Sequence, residues 1–405
     1  MNQHNPAGVG TPPFIDPRSL AENPHANLAA LRVHYPVIKL GEKHYMALRA
    51  GDVQAMLTDP RTIQIEGPDY AAIQRIPDGT AKRLVSGFFL FSNDDAHRAR
   101  RGRFARTFAH GAMRSVRGRV RAVANEIVAR LPRGESFDFV DVMASRIPSE
   151  MIAAIFGFPR GEASYFAARV YQLARVTAPV YPHDEHDRIE AAANELHAYV
   201  ENHMRARIEI PRDDLLTALV VDWHRDPSIS FDDLVTQVLG ILVGGSDTTR
   251  TAFAMLVALL LGHRDQWEAV RINPALIPGA VEEAIRFEPP VGSVVRFTVD
   301  HVDIGGVTIE PGVMLRVSTM SAMRDPDLYG APDSFDITRT DHPRLHPAFG
   351  AGPHRCIGEM LARIEMQEGL HALITAAPHI EMDTAPRMTG FAGIRRITPM
   401  QVRIR

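Results

Sequence analysis

Cys356 is the only cysteine in a chain of 405 residues, in the run Phe349-Gly350-Ala351-Gly352-Pro353-His354-Arg355-Cys356-Ile357-Gly358. One cysteine excludes an intramolecular disulfide and any cysteine-based zinc cluster. A lone cysteine is by default a small buried hydrophobe, but its neighbours argue for more. Two glycines and a proline just before it indicate a tight loop with special backbone angles. An amphipathic helix follows, from Glu359 to about Ala376. A thiol at such a helix start faces unpaired backbone N–H groups and the positive end of the helix dipole. Both favour thiolate over thiol.

A second group is Gly244-Gly245-Ser246-Asp247-Thr248-Thr249, in the middle of a long apolar stretch from Asp232 to Gly262. Two glycines inside a helix cost ~1 kcal/mol each relative to alanine, so they need a reason. Close helix packing is the ordinary one. A carboxylate on an otherwise apolar helix is expensive without partners, and an acid beside a hydroxyl can pass protons. Thr248 stands i+4 from Gly244, whose carbonyl its hydroxyl could meet while distorting the helix. Glu283 and Arg286 form an i,i+3 pair, ordinarily a surface salt bridge. His97 and Arg101 share a helix face at i,i+4 spacing. From His97 to Arg121 there are nine arginines and no acidic residue, and a solvated basic surface is the plain reading.

The elements that must hold these groups are mostly helical. Ser115 to Leu131, Ala191 to Arg207 and Asp232 to Gly262 repeat apolar residues at spacings of three and four. The last would span ~45 Å, with Ser230 as N-cap and Asp232 and Asp233 in its first turn. A helix apolar on nearly all faces belongs at the centre of the molecule. Strand signals are few: Val37 to Leu40 and His44 to Leu48 read as a hairpin. Val294 to Val299, Val302 to Ile309 and Val313 to Val317 form a second β-region, and Arg395 to Arg405 a last strand. The hydrophobic fraction of 45% supports a large core, and a net charge of −3 implies no nucleic-acid partner. Residues 1–17 read as irregular, without the basic and apolar regions of a signal peptide. No run approaches the ~18 apolar residues of a membrane span. The expectation is a cytoplasmic, membrane-free monomer.

The Cys356 loop resembles the haem-binding loop of the bacterial soluble cytochromes P450, F-x-x-G-x-x-x-C-x-G, with every fixed position matched at Phe349, Gly352, Cys356 and Gly358. The resemblance implies haem b (iron protoporphyrin IX) with Cys356 as the iron's ligand. A thiolate in that position pushes electron density onto the iron and favours O–O cleavage. Phe349 would then pack beneath the porphyrin, and His354 would hydrogen-bond a propionate. Gly244 to Thr248 is similar to the family's [A/G]-G-x-[D/E]-T. There the glycines open space for O2, Thr248 hydrogen-bonds the bound oxidant, Asp247 relays protons from solvent, and Thr249 packs. Glu283 and Arg286 match E-x-x-R, a buried structural pair, with Arg339 as a candidate third member. His97, Arg101 and Arg296 resemble further propionate donors. These motifs occur in the family's order along almost the whole chain. The implied fold is mainly α with a minor β portion: a triangular prism, one domain over residues 1–405, with the haem between the central helix and the cysteine loop.

The function so implied is a haem-thiolate monooxygenase inserting one atom of O2 into a small hydrophobic or aromatic substrate, by hydroxylation or O-demethylation. Electrons would come from NAD(P)H through a reductase and an iron–sulfur ferredoxin, with Arg98 and Arg103 as docking candidates. The distal pocket would be lined by Arg83 to Phe91, Tyr165 to Tyr181, Pro290 to Val295 and the turn near Phe391. Phe88, Phe89, Phe91, Leu242, Val243, Gly244, Val291, Val294 and Phe391 are its candidate residues. Two rivals are a peroxide-driven peroxygenase and a non-catalytic haem-thiolate sensor or carrier. The acid–alcohol pair argues against both.

Overall fold

A computed structural model describes residues 11–405 except 106, 107, 109 and 179. The chain is mainly helical with a minor β portion. Its axis is the 32-residue helix Phe231–Gly262, whose N-cap Ser230 Oγ accepts the Asp233 N–H at 3.0 Å. The C-terminal half of this helix is buried almost without a break from Thr251 to Leu261. Each apolar side chain so enclosed contributes about 1.5–3 kcal/mol. The helix touches Thr80–Gly87, Arg146–Phe156, Ala163–Ala174, His186–Glu209, Ile277–Phe287 and the cysteine-side helix Glu359–Ala376. This is the central position that its all-round hydrophobicity predicts.

The other two predicted helices extend over His110–Ala129 and His186–Glu209. The hairpin pairs Val37–Gly41 with His44–Ala47 and continues into a five-stranded sheet through Met314–Val317, Val294–Thr298 and Thr62–Ile63. Two strand expectations change. Val302 to Ile309 is a small separate hairpin, Val302–Ile304 against Val307–Ile309, because Gly305 and Gly306 both take positive φ and reverse the chain. The terminal segment holds Arg396–Ile397 and then Gln401–Ile404, which lies between Ser136–Asp138 and Ile380–Thr384. Residues 1–17 are not wholly irregular: residues 1–10 lie outside the described residues, but Phe14 bridges to Lys39 and Ile15 donates to the Lys39 carbonyl at 2.8 Å. No helix among the described residues is long and apolar enough to cross a membrane.

Candidate active site

The cysteine loop is set by its glycines. Gly350 and Gly352 have φ of 71° and 65°, a region that costs any other residue strain. The turn they make brings the Cys356 N–H to the Phe349 carbonyl at 2.8 Å. Cys356 precedes the helix Glu359–Ala376, and the Gly358 N–H points at its sulfur. Burial pushes the thiol up, opposed by that N–H and by the Arg101 and Arg355 guanidiniums. Cys356 is nonetheless an exposed residue. Accessibility is the property that decides whether it can take a ligand.

Around this loop gather hydrogen-bond donors that no carboxylate satisfies, while the loop's own Arg355 is paired with Glu359. His354 lies 4.0 Å from His97, ring centroid to ring centroid. Burial, His97, Arg296 and Arg101 together hold its imidazole down to about 3. His354 Nδ1 is buried with no hydrogen-bond partner among the described residues. Arg296 is buried and donates to Gln64 Oε1 at 2.6 Å; desolvation alone lowers it to about 10. Arg101 donates to the Arg355 carbonyl, one residue from the sulfur, at 2.6 Å. No carboxylate pairs with these four groups among the described residues. Buried guanidiniums call for anionic partners, so the set fits a cofactor bearing two carboxylates beside a thiolate ligand, as haem does.

The loop is tied to the central helix by a chain of hydrogen bonds. His97 bonds the Pro353 carbonyl at 3.2 Å and the Phe89 carbonyl at 2.9 Å. The Phe89 N–H donates to Gln237 Oε1 on the central helix at 2.7 Å. About two turns further, the two glycines separate in role. A Cβ on Gly245 would stand 2.9 Å from Ile152, so this glycine serves helix packing, whereas Gly244 opens onto free space. The Thr248 hydroxyl donates to the Gly244 carbonyl at 2.8 Å, and Asp247 pairs with Arg250 at 2.5 Å. Thr249 is buried, a packing residue.

Comparison with known proteins gives the family. The chain is 35% identical over 381 residues to the plant-inducible cytochrome P450-pinF1 of Rhizobium radiobacter, spanning 94% of this chain and 90% of that one. The chain belongs to the cytochrome P450 family. A family model described as Cytochrome P450 matches residues 275–380. Nocardicin C N-oxygenase of Nocardia uniformis subsp. tsuyamanensis is 31% identical, covering 92% of each chain. The solved structure of the P450 enzyme CxnD, for C–S bond formation in chuangxinmycin biosynthesis, matches with a TM-score of 0.85 at 26% identity over 99% of this chain and 98% of that one. The protein is therefore a haem-thiolate P450 monooxygenase, an oxidoreductase that uses O2, an organic substrate and redox partners.

In this P450 the Glu283–Arg286 pair is wholly buried, with contacts of 2.7 Å. Arg339 joins at 3.3 Å, and Arg286 also donates to the Met323, Pro332 and Ser334 carbonyls. The pair thus pins the segment before the cysteine loop to the helix Ile277–Phe287.

Several pocket assignments shift. Leu242 has no exposed surface. It lies roughly 200° around the helix from Gly244 at 100° per residue, so it faces the core and not the pocket. Phe89 packs against His97 and Phe104. Phe88 and Val243 are buried, with the Phe88 ring lying against Gly240. Phe91 stacks on Tyr70 at 4.5 Å. Val291 bridges to Ile394, and the Gly292 N–H reaches the Gly393 carbonyl at 2.9 Å, which brings the Phe391 turn beside Val291. Val291, Val294 and Phe391 are all partly accessible. Tyr165 lies at the surface under Arg169.

The basic run also divides. Arg103 is buried between Asp222 and Asp226 and offers nothing to a partner, whereas Arg98 is exposed. Arg117 and Arg121 both bind the buried Glu368 at 2.5 Å. Arg106 and the side chain of Arg114 lie outside the described residues.

Two features escaped the sequence. Glu365, on the cysteine-side helix, is buried, its Oε1 has no partner among the described residues, and burial pushes it up to about 8. Nothing local marks it, since a glutamate in an amphipathic helix usually faces water. The other is a crevice of about 770 Å³ whose lining includes Asp247, Arg250, Tyr171, Ser149, Glu150 and Arg396. It lies on the Asp247 side of the central helix and does not include Cys356. We read it as solvent access to Asp247 rather than as the substrate pocket.

Proposed function

We propose that Cys356 is the iron's ligand, that His97, Arg101, Arg296 and His354 bind the propionates of haem b, and that Phe349 packs beneath the ring. The observation that carries this is a set of four donors without a carboxylate partner among the described residues, Arg296 and His97 buried and Arg101 and His354 half-buried, around an exposed cysteine. When bound, the haem supplies oxygen activation. The chain's own residues do the rest. Thr248, anchored on the Gly244 carbonyl, presents a hydroxyl above the glycine gap. Asp247, held by Arg250 at the crevice, takes protons from solvent and passes them toward Thr248, through water or by its own rotation.

On this reading the enzyme inserts one oxygen atom into a small hydrophobic or aromatic substrate held among Phe91, Val291, Val294 and Phe391. Its electrons come from NAD(P)H by way of a reductase and an iron–sulfur ferredoxin. The chain works in the cytoplasm as a monomer and as one domain. Thr248→Ala is the test. It should keep the substrate-induced shift of the haem absorption, lose product, and release the consumed reducing equivalents as hydrogen peroxide. Undiminished product would overturn the role of Thr248.

A further inference from the structure

Arg316 lies on the strand Met314–Val317, between Met46 on one neighbouring strand and Val295 on the other. Side chains of one register share a sheet face, so Arg316 stands with His44, Met46 and Val295, opposite the face of Arg296. Arg316 is half-buried in the sheet, and burial lowers its guanidinium. A guanidinium has five N–H donors. Among the described residues Arg316 makes one hydrogen bond, from Nε to His44 Nε2 at 2.9 Å, and no carboxylate pairs with it. Burial and Arg316 hold His44 down to about 4, so the ring accepts this bond as a neutral base and leaves the positive charge uncompensated.

The surroundings are apolar and aromatic. Tyr70 is close enough to feel the Arg316 charge and stacks on Phe91 at 4.5 Å. Its hydroxyl donates to the Val176 or Ala178 carbonyl. Phe391 packs against the cluster that contains Met46. A half-buried guanidinium with free donors and no carboxylate partner, beside aromatic side chains, is a receptor for an anion carried by an apolar body.

We propose that Arg316, oriented by His44, receives the carboxylate of an aryl- or alkyl-carboxylic acid substrate whose apolar part runs along Tyr70, Phe91 and the Phe391 turn. This rests on the pocket assignment made above and adds the polar end of the substrate.

The test uses the haem-loaded enzyme and the substrate-induced change in haem absorption. Dissociation constants are measured for 3-phenylpropanoic acid and dodecanoic acid, each against its methyl ester. The acids should bind more tightly than the esters. Arg316→Gln should weaken the acids by about tenfold or more, the scale of one charge-assisted hydrogen bond, and leave the esters nearly unchanged. Equal weakening of acids and esters, or no preference in the unaltered enzyme, overturns the proposal. If esters bind and acids do not, the pocket stands and the carboxylate site falls; if neither alters the spectrum, both fall. Should Arg316→Gln fail to retain haem, Arg316→Lys decides, because a point charge cannot replace a planar fork. A several-fold drop in the acid preference supports the site, and an unchanged preference sinks it.

Discussion

Glu365 offers a quantitative test of the core beneath the cysteine-side helix. Its carboxyl is buried, one oxygen lacks a partner among the described residues, and burial raises it from 4.5 to about 8. The folded protein therefore holds a proton that the unfolded chain releases above its ordinary pKa. Between those two values the folded state binds more protons, so stability falls as pH rises. The slope is about 1.4 kcal/mol per pH unit, and the whole window is worth on the order of 5 kcal/mol. Glu365→Gln keeps the shape, removes the titration and should abolish this part of the pH dependence. Urea unfolding of both haem-loaded proteins, followed by helical circular dichroism, would be compared at about pH 5.5 and about pH 7.5. Over that interval the variant should gain roughly 3 kcal/mol relative to the unaltered enzyme. Every other titrating group is common to both proteins and cancels in the comparison. A difference that does not change with pH, or one that moves against the variant as pH rises, would mean that Glu365 is ionised and paired in the folded protein.

The helix-face correction at Leu242 has its own consequence. Leu242→Ala should cost about 2–5 kcal/mol of unfolding free energy and leave the substrate-induced spectral shift unchanged; a changed shift without lost stability would return Leu242 to the pocket. The two arginines on the helix Asp94–Ala105 should behave in opposite ways. On the proposed electron route, Arg98→Glu should slow reduction by a ferredoxin more at low salt than at high and leave thermal stability near that of the unaltered enzyme. Arg103→Glu would face Asp222 and Asp226 and should lower the melting temperature. Equal kinetic effects from both, with stability intact, would refute that division.

How much was legible in the sequence depends on the range of the interactions involved. The central helix, its Ser230 cap, the first hairpin and the glycine-built turn at Cys356 follow from local rules: periodicity, capping and backbone freedom. The Thr248 to Gly244 bond is equally local, four residues along one helix. The ordered motifs pointed to the family and hence to the cysteine, the acid–alcohol pair and the donors His97, Arg101, Arg296 and His354. Which side of a helix meets which neighbour is not local. Tertiary packing decided that Gly245 serves Ile152 while Gly244 stays open, that Leu242 turns inward, and that Phe89 packs on His97. It buried Arg103 in a pair of aspartates more than a hundred residues away and left Arg98 outside. Glu365 and Arg316 look like ordinary surface charges in the sequence. Only the fold buries one on the inner face of the helix Glu359–Ala376 and sets the other within the sheet, where reduced access to water changes what each group can do.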